Sequence, residues 1–210
     1  MKLIIIVTMC FLLCSCSRNP NAPEQTNSAK ESFSPSPAAD ITAAPPTPEP
    51  TPTPESRTRI SKAATTLLDK SENRLKNIRL AAKSINAYIL KPGEIFSFNQ
   101  IVCKRTEERG YLPAATIIEG EKKDDFGGGV CQLASTVYQA AENAGLEIIE
   151  RHNHQKDVGY TAPGTDAAVN YGTLDMKFKN STDSSLMIAV LVGENSVIAE
   201  IFKMNYQIKY

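Results

Sequence analysis

Ten of the thirteen prolines in this 210-residue chain fall at or before Pro54. Proline lacks an amide N–H and has a fixed φ. The run Pro45-Pro46-Thr47-Pro48-Glu49-Pro50-Thr51-Pro52-Thr53-Pro54 is therefore unsuited to a helix or a sheet interior. The stretch from Ser17 to Ser56 around it is rich in Ser, Thr and Glu and has little to bury. A disordered, polyproline-like tether over residues 16–56 is expected, rising ~3.1 Å per residue where it is stiff. Folding capacity then lies in the 154 residues from Arg57 to Tyr210, enough for one domain with its own core.

Ahead of the tether, Met1-Lys2 leads into an apolar run from Leu3 to Leu13. That is a signal-peptide pattern over residues 1–15, and it is shorter than the roughly 20 apolar residues a spanning helix needs. Leu13-Cys14-Ser15-Cys16 resembles a bacterial lipobox, which implies acylation of Cys16 with palmitate-like chains and anchorage to a membrane. Cys14 fits less well, because Leu13 would fill the small-residue position, and a plain secretory signal is the competing reading. Both readings put the domain on the extracytoplasmic side of a bacterial envelope. Export would leave Cys103 and Cys131 in the folded part, as a disulfide or as thiols.

Charge narrows the partners. Lys plus Arg and Asp plus Glu both total 23, and from Arg57 onward the counts are 20 and 18. Such a balance gives no field for a polyanion, so no nucleic-acid partner is expected.

Within the domain, Leu75, Ile78, Ala82, Ile85 and Ile89 recur at helical spacing, predicting a helix over Leu67–Leu90 stopped by Lys91-Pro92-Gly93. Residues 57–72 are expected as an N-terminal helical extension and 73–210 as the main domain. Strands are expected at Glu94–Asn99, Ala114–Glu119, Leu146–Arg151, Met176–Phe178, Leu186–Val192 and Val197–Met204. Shorter extended pieces are expected at Gly159-Tyr160 and Ala167–Tyr171, with a loop at Glu121–Asp125. A second helix is expected from about Cys131 to Asn143, with Gly145 as a left-handed cap. Helices and strands that do not alternate regularly point to a single α+β domain.

Gly127-Gly128-Gly129-Val130-Cys131-Gln132 is the stretch richest in chemistry. It places Cys131 at a helix start, where unpaired N–H groups and the helix dipole favour a thiolate. The N–H groups of Gly128 and Gly129, with the side chain of Gln132, are candidate donors to an oxyanion. A thiolate needs a base, and the only histidines are His152 and His154. His154 is the preferred base, with His152 structural or substrate-facing. Asp166, on a Pro163-Gly164-Thr165 turn, is the preferred orienting acid, and Asp175 and Asp157 are its rivals. The order cysteine, histidine, aspartate is similar to papain- and transglutaminase-like hydrolases as an arrangement only. A buried cysteine with turn-forming aspartates is the plainer alternative. A zinc site of Cys131, His152, His154 and an aspartate lacks any close-paired ligand motif, so no metal and no cofactor are called for.

Several separated motifs resemble the VanW family. They include Leu90-Lys91-Pro92-Gly93-Glu94-Ile95-Phe96-Ser97-Phe98-Asn99, Arg105-Thr106, Gly127 to Thr136, Glu150-Arg151-His152-Asn153-His154 and Pro163-Gly164-Thr165-Asp166-Ala167-Ala168-Val169. The resemblance implies a bacterial envelope protein, some relatives being encoded beside glycopeptide-resistance genes. It carries the family's motif cysteine, histidine and aspartate onto Cys131, His154 and Asp166. Departures from the family pattern are Cys103, Lys104 and Gln155. Two functions are compatible with all this. One is a cysteine-dependent peptidase, amidase or acyl transferase acting on peptidoglycan peptide stems. The other is a non-catalytic domain that binds peptidoglycan or an envelope protein.

Overall fold

In a computed structural model, residues 53–118 and 121–207 are described. The expected signal sequence over 1–15, the expected lipidation site Cys16 and the expected tether as far as residue 52 lie outside the described residues. The described part is a single α+β domain of nine strands, three α-helices and a short 3-10 helix at Glu107–Arg109. Among the described residues no helix is long and apolar enough to cross a membrane.

A four-stranded antiparallel sheet forms one layer in the order β1-β9-β8-β2. Its strands are β1 (Thr53–Thr66), β2 (Tyr88–Leu90), β8 (Leu186–Val192) and β9 (Ser196–Gln207). Residues 57–72 are thus not a helical extension, and the expected tether does not reach residue 56. Thr53 to Ser56 and most of 57–72 form β1, hydrogen-bonded along β9 from Thr53↔Gln207 to Thr66↔Ser196, an edge strand that tolerates Pro54. The inward side chains Ser61, Ala63 and Thr65 are small because helix α3 (Val130–Asn143) lies on them. Ser61 Oγ donates to the Ala140 carbonyl at 2.7 Å, and the Thr65 and Thr136 hydroxyls meet at 2.7 Å. A strand with this face carries no hydrophobic alternation to read.

Helix α1 (Glu72–Ile85) buries Ile78, Ala82 and Ile85 as its spacing predicts, but it ends five residues before Leu90. Asn86 Oδ1 accepts the Val190 N–H at 3.0 Å, Ala87 turns left-handed, and Tyr88–Leu90 pairs with β8 instead. Ile89, in phase with the helical stripe, therefore sits on a strand and is exposed.

A second sheet runs β3-β7-β6, from β3 (Ile95–Ser97), β6 (Glu147–Glu150) and β7 (Lys177–Lys179). Phe98 and Asn99 leave the expected strand to open the short helix α2 (Phe98–Val102), because Ser97 Oγ caps it by accepting the Gln100 N–H. β4 (Pro113–Ile118) and β5 (Glu121–Phe126) form an antiparallel ribbon. The expected loop at Glu121–Asp125 is thus a strand. Its polar sequence suits a two-stranded ribbon whose Lys123 to Phe126 stay exposed. Gly159-Tyr160 and Ala167–Tyr171 form no strand, apart from an isolated bridge between Asn170 and Leu174.

Leu133, Val137 and Ala140 of α3 are fully buried, together with Phe96, Phe178, Leu186, Ile188 and Ile201. Each large side chain so buried contributes about 1.5–3 kcal/mol. The core thereby fixes both the axis of α3 and the strand that follows it.

Candidate active site

Three consecutive glycines lead into α3, and each has a steric reason. A Cβ at Gly127 would lie 2.8 Å from Arg105 Cβ, and one at Gly128 would collide with the Ala114 carbonyl. One at Gly129 would lie 2.9 Å from Arg74 Cγ and from Ile78 Cγ1, and its φ of +98° is itself a glycine conformation. Asn77 pins the loop by donating to the Leu112 and Gly128 carbonyls and accepting the Leu112 N–H. The chain is thus forced into a helix whose second residue is Cys131. First-turn N–H groups have no intrahelical acceptor. Those of Val130 and Gln132 go to the Gly127 and Gly129 carbonyls, both at 3.0 Å.

After α3, Gly145 reverses the chain and β6 runs back beside β7 toward the level of Cys131. His154 lies four residues beyond β6 and lines the same two cavities as Cys131, close enough for each group to shift the other's pKa. The thiol itself donates to the Val169 carbonyl at 3.4 Å. The imidazole Nδ1 is 2.6 Å from Asp166 Oδ2, which also accepts the His154 backbone N–H at 2.7 Å. Asp166 follows a turn closed by Thr165 N–H to the Ala162 carbonyl. Arg151 grips that turn through the Gly164 and Asp166 carbonyls at 2.6 and 2.7 Å and approaches Asp166 Oδ1 at 3.4 Å. Ser135 ties it to α3, donating to the Cys131 carbonyl and accepting the Ala167 N–H, both at 2.8 Å.

The charges reinforce one another. Burial raises the Cys131 thiol pKa, yet the hydrogen-bonding and charge of His154, then the Val169 backbone and the charge of Arg105, outweigh it and hold the pKa below the ordinary thiol value. Burial lowers that of His154, but Cys131 and Asp166 carry it above its ordinary value. Burial raises that of Asp166, and the backbone and ring N–H groups of His154 bring it below the usual carboxylate range. A sulfur and an imidazole shifted in opposite directions favour a thiolate–imidazolium pair.

Two cavities meet at this pair. One of about 300 Å³ is lined by Arg74, Gly129, Gln132 and Tyr160, and the other, of about 840 Å³, by Arg105, Gly127 and Val169. Cys131, His154 and Thr116 line both. Volumes of this order hold small ligands or short peptide segments.

The remaining expected residues are placed differently. Gln132 is buried, its amide donating to Thr65 Oγ1 and the Thr66 carbonyl while its oxygen accepts from Arg74, so both amide hydrogens are committed to the scaffold. The Gly128 N–H points to the Asp125 carbonyl at 3.3 Å, while Gly129 borders the smaller cavity. His152 turns away to Glu150, Nε2 to Oε1 2.9 Å, and lines neither cavity. Asp175 bonds Ser97 and Asn99, and Asp157 accepts the Gly159 N–H; of the three aspartates considered, Asp166 meets the imidazole. Cys103 and Cys131 are thiols, not a disulfide. Arg105, Arg74 and Tyr160 went unassigned because only tertiary packing brings them to the cysteine. Burial pushes the Tyr160 hydroxyl pKa well up, so it stays protonated.

The family described as "VanW like protein" matches residues 73–202, from the second residue of α1 into β9. The chain is 36% identical to the "Uncharacterized protein YoaR" of Bacillus subtilis over 147 residues, 70% of this chain and 48% of the relative. It is 31% identical to the "Vancomycin B-type resistance protein VanW" of Enterococcus faecalis over 136 residues, 62% of this chain and 50% of the relative. The chain thus spans about half the length of the curated relatives it matches. No solved structure matches it significantly. With more than half its length under the family match, the chain belongs to the VanW-like protein family.

Proposed function

We propose that this chain is a cell-envelope cysteine enzyme, a peptidase, amidase or acyl transferase acting on the peptide stems of peptidoglycan. In this reading it is held outside the membrane by lipid on Cys16 and the Pro-rich tether. One observation carries the chemistry: a thiol at the second position of a helix and a histidine anchored on Asp166 line the same two cavities, and each shifts the other's pKa toward the ion pair. Similarity to a vancomycin B-type resistance protein supports the envelope setting.

In the proposed reaction the Cys131 thiolate attacks an amide carbonyl carbon. A sulfur–carbon bond forms as the carbonyl π pair moves onto oxygen. The Cys131 and Gly129 N–H groups at the helix mouth are the donors for that oxyanion, in place of the committed Gln132 side chain. The oxyanion collapses to a thioester as the C–N bond breaks, and His154 Nε2 gives its proton to the departing amine. Water or an acceptor amine then attacks the thioester and passes a proton back to Nε2, releasing the thiolate. Asp166 holds the Nδ1–H throughout, which fixes the ring's tautomer.

The test is incubation of the protein and its Cys131→Ala variant with purified muropeptides, followed by mass spectrometry. Product from the wild type alone is expected. Product from both would reject Cys131 as the nucleophile. Tight muropeptide binding with no product from either would favour the binding-domain reading. The anchor has its own test: palmitate labelling in cells should disappear in Cys16→Ala, and undiminished label would remove the lipid from the account.

A further inference from the structure

Arg105 lines the larger cavity, where its charge favours the thiolate but no step of the proposed reaction uses its hydrogen-bonding face. Its Nη1 donates to Asn99 Oδ1 at 2.8 Å and to the Cys103 carbonyl at 3.3 Å. Asn99 is itself fixed, its N–H on Asp175 and its amide on the Leu174 carbonyl at 2.8 Å, so the guanidinium is aimed by a rigid acceptor. Its Cζ stands 5.7 Å from the Phe98 ring centroid, and its stem occupies the space that the missing side chain of Gly127 leaves open. Burial lowers its pKa, and Cys131 is the strongest of the neighbouring charges that offset this. Among the described residues it makes no ion pair, and Nη1 is its one nitrogen with a protein hydrogen bond. A guanidinium is a planar fork built for two parallel bonds to a carboxylate, and here one edge of the fork has no protein partner.

We propose that Arg105 forms a carboxylate-binding subsite in the larger cavity, seating a carboxylate of the peptide whose amide lies over Cys131. The subsite rests on the reading that a peptide occupies this cleft. The mouth of the cavity carries exposed Glu107, Glu108 and Asp125 against a single Lys104, so its field does not draw in free anions. The carboxylate has to arrive as part of a ligand held by the rest of the cleft.

Calorimetric binding in the Cys131→Ala background tests this without requiring turnover. The probes are a peptidoglycan stem tetrapeptide with free carboxylates and the same peptide with every carboxylate made a carboxamide. The acid form should bind about tenfold tighter or more. Adding Arg105→Gln should bring the acid form down to the affinity of the amide form, and Arg105→Lys, which keeps the charge without the fork, should keep part of the preference. Melting curves of both variants show whether the loss of the Asn99 contact has unfolded the site. An unchanged preference in Arg105→Gln, no preference in the parent, or no binding of either peptide would each overturn the subsite. If the preference depends on Arg105 but the wild type never turns over stem peptide, the subsite stands and the enzyme reading fails. If turnover occurs and the preference ignores Arg105, the subsite alone fails.

Discussion

Asp166 and Asp175 lie in the same segment after β6, are similarly buried at 6% and 8% exposure, and accept hydrogen bonds from several donors. Their networks end differently. The bonds of Asp175 go to the Ser97 hydroxyl at 2.6 Å and to the Asn99 and Met176 N–H groups at 2.9 and 2.8 Å, which fixes the β3–α2 corner. The bonds of Asp166 go to His154, whose ring reaches a thiol lining two cavities. Burial and saturated hydrogen bonding therefore do not separate a site from a scaffold. A network that ends in a proton-transferring group beside open space does.

This contrast can be broken by exchanging the roles. Asp166→Asn keeps the volume but removes the charge and frees the tautomer of His154. Turnover of stem peptide should fall by about 10³–10⁴-fold, measured by product mass spectrometry, with little change in melting temperature. Asp175→Ala should do the reverse. It strands the buried Ser97 hydroxyl and the Asn99 N–H, which costs about 3 kcal/mol by urea unfolding, while kcat per folded molecule stays within about threefold and any loss passed through Asn99 to Arg105 falls on KM. If Asp175→Ala stopped turnover in folded protein, the distinction between the two aspartates would collapse.

Two smaller effects sharpen it. Lys177 and His152 draw the carboxyl pKa of Glu150 down to about 2, with Lys177 Nζ at 2.7 Å. A depressed carboxyl pKa stabilises the fold above the ordinary glutamate range and loses that contribution as pH falls through it toward about 2. The stability deficit of Glu150→Gln relative to the wild type should therefore be full at neutral pH and shrink as pH falls toward about 2, as followed by urea unfolding with circular dichroism across pH. The smallest effect belongs to His152→Ala. This imidazole faces Glu150 and borders neither cavity, so turnover should stay within about twofold. A larger loss would bring His152 back into the site.

The residues of the candidate site were readable because their signals are local. Three glycines before a cysteine announce a helix mouth, and the scarcity of histidine narrows the base to two. What was not readable depends on distant partners. β1 presents Ser61, Ala63 and Thr65 inward, so its burial alternates with a period of two that hydrophobicity does not show. Helix α1 ends at Ile85 because Asn86 is engaged by β8, although Ile89 continues the apolar stripe. The Pro163-Gly164-Thr165 turn favours Asp166 over Asp175 from sequence alone, but its contact with His154 depends on the path of the chain between them, which no spacing encodes. Gln132 follows the cysteine as an oxyanion donor would, yet Thr65 and Thr66 on β1, itself unforeseen, take both its amide hydrogens.

The central claim is that Cys131 and His154 share a proton in a reactive pair. The rate of iodoacetamide alkylation at Cys131, read by peptide mass spectrometry across pH and compared with buried Cys103, tests it without any assumption about substrate. The account predicts that Cys131 reacts faster than Cys103, with an inflection below the ordinary thiol value of about 8.5 that moves upward in His154→Ala. An inflection at the ordinary value, or one that His154→Ala leaves in place, would contradict it.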